Sequence, residues 1–499
     1  MKNVLEYLEQ SESKYSNKIA VIEEEKTITY KELVAKSKRI ASGLINNTNI
    51  RKPIPVLLEK GINALSAFFG AIYAGDFYVL LNQDLPVTRL KDIYETLDTN
   101  ILITDKEHLE LAKEISNDTI LLIEDLENNE INESVLAEIR SRAIGLDPLY
   151  VNFTSGSTGK PKGVVIDNKS VIEFMDIFTD KFNINENDII ANQAPFDFDV
   201  SVKDIYSSIK VGATLVIVPK KLFTKPVELL DYLCDNKVTT LIWAVSALCL
   251  VTTFHGLDYK TPETINKVLF SGEVMPLKHI KQWIEHLPNA TFVNLYGPTE
   301  ITCNCTYHII DNNKEYQEKI PIGKVFDNKE ILLLSEDNKL IKEANITGEI
   351  CVRSNTLALG YYGNTELSNK SFIQNPLNNK YRDMIYKTGD LAYYNNDGEL
   401  VFSGRKDFQI KHQGHRIELE EIQIALEKLD KIKRACVTYN EEKKKIYGYY
   451  IGDIDKKEIH DKLLEIIPVF MIPNVLIPVE EFPLTKNGKI DRKALAEIK

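Results

Sequence analysis

The chain has 499 residues, too many for one compact core, so two or more domains are expected. Its 73 acidic and 61 basic residues leave a net charge of −12, which argues against nucleic acid or an anionic membrane surface as the main partner. Hydrophobic residues at 43% and charged residues at 27% are ordinary for a globular enzyme. Lys2 and Glu6 interrupt the apolar residues at the N-terminus, so no signal peptide is expected there. No run reaches the ~20 apolar residues of a membrane helix, and the expectation is a cytoplasmic protein without membrane insertion. The six cysteines are scattered without a zinc-type spacing, which predicts reduced thiols.

In chain order, Thr29 and Glu32 have the spacing of a capping box, and Leu33, Ile40 and Leu44 follow roughly at helical intervals. Strands are predicted over 149–153 and 163–166, and a second box, Ser170 with Glu173, is expected to open a helix. Strands over 214–218, 239–244, 267–270 and 290–295 then alternate with helices over 226–234 and 276–287. Such alternation implies largely parallel sheets covered by helices, an α/β fold. After about residue 404 the texture changes. A helix over 418–429, a hairpin of strands 434–439 and 445–451 around a polar turn, and a helix over 456–466 describe a small α+β domain.

The most informative segment runs between two predicted strands: Thr154, Ser155, Gly156, Ser157, Thr158, Gly159, Lys160, Pro161, Lys162 and Gly163. Glycine lets the backbone wrap an anion, hydroxyls and amides donate hydrogen bonds, and lysine supplies charge. Pro161 after Lys160 breaks the GxxxxGK[ST] spacing, which disfavours an ordinary P-loop NTPase. No GxSxG elbow makes Ser155 or Ser157 a nucleophile.

This loop resembles the signature of the adenylate-forming (ANL) superfamily, which includes acyl-CoA synthetases, luciferases and nonribosomal peptide adenylation domains. Further segments resemble that family's motifs in its order. Asn294, Leu295, Tyr296, Gly297, Pro298, Thr299 and Glu300 are similar to the segment that stacks an aromatic ring on adenine and supplies a magnesium ligand. The resemblance gives Tyr296 to the base, Thr299 to the α-phosphate and Glu300 to Mg2+; a carboxylate is a suitable hard ligand. Tyr386 to Asp390 resembles the ribose motif, with Asp390 accepting from the sugar hydroxyls and Arg405 nearby. By the same resemblance, Asp407 is the interdomain hinge, Gly414 lies where a carrier's phosphopantetheine arm passes, and Lys489 is the catalytic lysine. The implied division is a large domain over 1–404 for ATP and substrate, a hinge over 405–408 and a small mobile domain over 409–499.

The segment Phe196 to Lys203 bears on the substrate. In amino-acid-activating members an aspartate at the Asp199 position pairs with the α-ammonium; as an alternative, Asp199 would cap the following helix. By family pattern the rest of the pocket includes Val200, Lys203, Ser246, Leu269, Ser271, Leu295, Cys303 and Asn304. That lining suggests a small polar amino acid, serine or cysteine first. Lys203 leaves an acidic side chain open, with its ammonium alternatively pointing away to water. The chain also resembles D-alanine–carrier protein ligases of teichoic-acid D-alanylation, although Ser271 stands where that group usually has cysteine. An acyl- or aryl-CoA ligase is the other alternative. Seven residues follow Arg492, so the acceptor is expected to be a separate protein or a small thiol, and a separate carrier protein is the reading taken.

Overall fold

The structure, a computed structural model, describes residues 1–156, 159–483 and 490–496. Two large sheets carry most of the chain. In the nine-stranded sheet, six strands run parallel in the order Thr291–Tyr296, Lys267–Ser271, Thr240–Ala244, Ile189–Asn192, Thr214–Ile217 and Ile19–Glu23. Antiparallel strands flank that block on both sides. The seven-stranded sheet is parallel from Pro148–Thr154 through Thr119–Leu122, with Lys162–Asp167 and Gly360–Tyr361 added antiparallel. Helices rich in buried apolar side chains pack between these sheets, Ile62–Tyr73 among them, burying Phe68 and Phe69 with Leu149, Phe174 and Phe178 in one continuous core. This is the α/β arrangement that the alternating pattern predicts.

A five-stranded antiparallel sheet, which includes Met384–Tyr394 and Leu400–Arg405, closes the large part of the molecule. The smaller C-terminal domain has its own core, drawn from Ile417 to Leu476. It holds the helix Leu419–Glu427 and the three-stranded sheet of Ile432–Asn440, Lys445–Gly452 and Val475–Pro478. A separate two-stranded hairpin, Gln409–His412 with His415–Glu418, precedes that helix.

Most predicted elements appear within one or two residues of their expected ends. The first capping box is present: the Glu32 amide donates to Thr29 Oγ1 at 3.3 Å and the Thr29 amide donates to Glu32 at 2.9 Å. The second is corrected. The helix begins at Asn168, and Asp167, at the end of its strand, accepts from the Ser170 amide at 2.7 Å. Aspartate there meets the first free amides before Ser170 can. All six cysteines are free. Among the described residues no helix is long and apolar enough to cross a membrane.

Candidate active site

The carboxyl ends of the parallel strands converge on one cleft, the usual place for a ligand on such a sheet. Thr154 and Ser155 arrive from Pro148–Thr154, Ser271 ends Lys267–Ser271, and Gly297 follows Thr291–Tyr296. The helix Val200–Val211 turns its first residues into the same cleft.

Asp199 occupies the N-cap position of that helix but already has helical backbone angles, φ −64° and ψ −16°, and its side chain makes no capping bond. The carboxylate is therefore left for the pocket that it lines. Burial raises its pKa, opposed by the Lys203 charge and the Thr299 side chain.

Lys203 corrects one expectation. Its side chain does not reach water: it is 1% exposed and donates to Asn304 Oδ1 at 2.9 Å and Ser271 Oγ at 3.3 Å. Burial lowers its pKa. Cys303 donates its thiol to the Asp199 carbonyl at 3.4 Å, and burial pushes that thiol up. Thr302 and Cys303 both have left-handed backbone, φ +60° and +66°, a strained pair that turns Cys303 and Asn304 into the cleft. Gly297 permits the approach, since a Cβ there would lie 2.5 Å from Asn304 Cα.

Of the residues that the family pattern puts in the pocket, Val200, Ser271, Cys303 and Asn304 line the cleft. Leu269 and Leu295 do not; both are buried in the core beneath it. Ser246 stands at the edge, where a Cβ on Gly414 would lie 3.3 Å from its Oγ.

Among the residues that the resemblance assigns to the nucleotide, Tyr296 Oη donates to Asp390 Oδ2 at 2.6 Å and Arg405 donates to Asp390 Oδ1. Arg405 also forks onto Asp407 at 2.6 and 2.7 Å. Asn294 turns away and donates to the Pro321 carbonyl at 2.8 Å. Tyr296 is buried rather than open for stacking, with the Lys411 ammonium 5.7 Å from its ring centroid.

The small domain covers the start of the glycine-rich loop after Thr154. The Gly156 amide donates to Glu421 Oε2 at 3.1 Å, Ser155 Oγ donates to the Arg416 carbonyl at 2.7 Å, and the Glu418 amide donates to Ser155 Oγ at 3.2 Å. Arg89 pairs with the other oxygen of Glu421. Lys160 is exposed, and Gly159 packs beside Ile424. Ser157, Thr158 and Lys489 lie outside the described residues.

Glu300 is fully buried. The Arg416 and Lys162 charges and the Tyr361 hydroxyl together overcome desolvation and hold its carboxyl at about 2. Arg416 Nη1 bridges both of its oxygens at 3.0 and 2.8 Å, and Tyr361 Oη donates at 2.8 Å. An ionised hard-oxygen donor fits magnesium, which characteristically takes one or two carboxylates and completes its shell with phosphate oxygens and water. Among the described residues no group of three His, Cys, Asp or Glu could hold a metal. The Gly414 amide donates to Glu273, which brings the hairpin turn over the substrate side of the cleft.

The sequence did not single out Arg416 or Glu421. Arg416 lies two residues after Gly414 and Glu421 in the predicted helix over 418–429, but their burial against another domain has no local signal.

The family model for AMP-binding enzymes matches residues 8–362. Zwittermicin A synthase ZmaJ of Bacillus cereus is 32% identical over 495 residues, covering 96% of this chain and 92% of that protein. Surfactin synthase subunit 1 of Bacillus subtilis is 29% identical over 506 residues, and the match spans 99% of this chain but 14% of that subunit. Among solved structures, the Vibrio cholerae adenylation domain AlmE, in complex with glycyl-adenosine-5'-phosphate, superposes with a TM-score of 0.85 at 20% identity, covering 99% of this chain and 96% of that one. The o-succinylbenzoate CoA synthetase of Bacillus subtilis gives 0.85 at 21%, covering 100% and 99%. At those identities the two structures speak for the fold alone.

Proposed function

Because the chain belongs to the AMP-binding, adenylate-forming enzymes, we propose that it activates an amino acid with ATP and passes the aminoacyl group to the phosphopantetheine thiol of a separate carrier protein. The observation that carries this is Asp199, a carboxylate on the wall of the cleft that is not spent on capping its helix. A carboxylate desolvated in such a place calls for a cation, and the α-ammonium of an amino acid supplies one. Fatty and aryl acids bring no such partner. The lining of Ser271, Cys303 and Asn304 suits a small polar side chain, of which serine and cysteine are the neutral examples.

The reaction has two halves. The substrate carboxylate attacks the α-phosphorus of ATP, the bond to the bridging oxygen breaks, and pyrophosphate leaves. Thr299 and Lys489 are the groups assigned to the charge that develops, Asp390 and Arg405 to the ribose, and the loop of Thr154 to Lys160 to the departing phosphates. Glu300 would hold magnesium, which neutralises phosphate charge when bound. In the second half the thiol attacks the acyl carbon and AMP leaves. Gly414 is the residue assigned to the thiol's passage, and the placement of its amide on Glu273 beside the cleft supports that assignment.

The domain boundaries at 404 and 409, with a hinge at Asp407, belong to the same proposal. The fork from Arg405 pins Asp407 in this arrangement, so changing the hinge should separate the half-reactions. Asp407→Pro is expected to leave ATP–pyrophosphate exchange near wild type and to slow transfer to the carrier. Lys489→Ala is expected to do the reverse, lowering exchange by about three orders of magnitude and sparing transfer from preformed adenylate. Equal loss of both steps in both variants would refute this division. Pyrophosphate exchange across L- and D-amino acids, with aryl and fatty acids as controls, tests the function itself. An acid without an amine that turns over best would sink it.

A further inference from the structure

The hydrogen bonds of Lys203 are incomplete, and the open donor points to the substrate's side chain. Lys203 is buried and forms no ion pair among the described residues. An ammonium carries three donors. Two go to neutral acceptors, Asn304 Oδ1 and Ser271 Oγ, which leaves one for the cleft that the side chain lines.

Two carboxyls stand near enough to matter. Asp199 is one helical turn before Lys203, on the same face of the helix. On the reading above it is taken by the substrate's α-ammonium. Asp204 is the next residue along, but it is engaged elsewhere. Its Oδ2 accepts from Asn192 Nδ2 at 2.8 Å, and its buried Oδ1 has no hydrogen-bond partner among the described residues. Burial raises its pKa, opposed by the Asn192 hydrogen bond and the Lys203 and Lys60 charges. Cys303, the remaining ionisable neighbour, is held as a thiol by burial. With a neutral side chain in the cleft, the Lys203 ammonium would be left without a hydrogen-bonded carboxylate, a costly position for a buried cation.

We infer that the acid activated here is an α-amino dicarboxylic acid, aspartate or glutamate, whose side-chain carboxylate meets the Lys203 ammonium in the cleft. This rests on the proposed amino-acid activation and narrows it. Because Asp199 and Lys203 share a helix face, a ligand whose ammonium sits on Asp199 presents its side chain along the helix toward Lys203. Serine and cysteine fit the size of the lining but leave the charge unmet.

The test is pyrophosphate exchange by the full chain with aspartate, glutamate, asparagine, glutamine, serine, cysteine and both alanine enantiomers, in the wild type and in Lys203→Met. The amides match the acids in shape and lack only the charge. In the wild type the better acid should exceed its own amide in kcat/KM by about a hundredfold, the scale of a buried charge pair. In Lys203→Met that ratio should fall below about tenfold, as a neutral side chain becomes acceptable. Serine, cysteine or alanine as the best wild-type substrate would overturn the inference and leave amino-acid activation standing. So would an acid-to-amide ratio unchanged in Lys203→Met. Exchange with an aryl or fatty acid and with no amino acid would instead remove the parent proposal. The wild-type panel decides by itself if the variant fails to fold.

Discussion

Asp199→Ala should lower kcat/KM for amino-acid-dependent pyrophosphate exchange by about three orders of magnitude, while ATP binding measured by calorimetry stays within about twofold. The size follows from what the substitution leaves behind. Removing one partner of a desolvated ion pair strands the other, at about 3–5 kcal/mol, and each 1.4 kcal/mol is a factor of ten. The substrate's ammonium would enter a cleft whose one remaining nearby charge on that helix turn is Lys203, of like sign. Because Asp199 makes no capping bond, its loss should not unravel the helix Val200–Val211, and the melting temperature should change little. Exchange that survives in Asp199→Ala would show the ammonium to be held elsewhere.

The second large effect concerns the small domain. Arg416→Met should slow aminoacyl transfer from preformed adenylate to the carrier by about a hundredfold and leave pyrophosphate exchange at or above the wild-type rate. Here Arg416 serves Glu300 as a counter-cation, and Glu421 serves the Gly156 amide as an anion. These are the same two groups that magnesium and a phosphate would use. On the proposed function, the docked small domain and Mg·ATP would compete for these two groups. Both contacts contribute to docking, and on the same proposal ATP binding would displace them. In Arg416→Met the docked arrangement leaves Glu300 with less compensation for its buried charge, so the domain should dock less often and transfer should suffer. Glu421→Gln should act in the same direction, since Arg89 would keep a neutral acceptor in place of a charge. Trypsin digestion with and without AMP, alongside stopped-flow transfer, would follow docking independently of turnover. A loss of exchange as large as the loss of transfer would contradict this account.

The legible parts of this protein depend on short reach. The helix opened by Thr29 is legible because both halves of its capping box lie within three residues. The parallel strands are legible because buried strands are runs of apolar residues between turns. Ser170 shows the limit even at that range: the helix opens two residues earlier, at Asn168, and Asp167 at the strand's end caps it through the Ser170 amide. The glycine, hydroxyl and lysine content of the loop after Thr154 marks it for an anion, but what lies on its amide here comes from 265 residues further along the chain.

By itself, then, the sequence determined the α/β class, the loop's composition, the family and the presence of a carboxylate at position 199. Tertiary structure alone decided where charges find partners. Lys203 meets Asn304 across 101 residues and Arg416 meets Glu300 across 116, and no local pattern announces either. A lysine on a helix or an arginine in a hairpin is read as solvated because water is the default partner of charge. Folding removed the water from both, and a desolvated charge must be met by whatever the fold brings beside it.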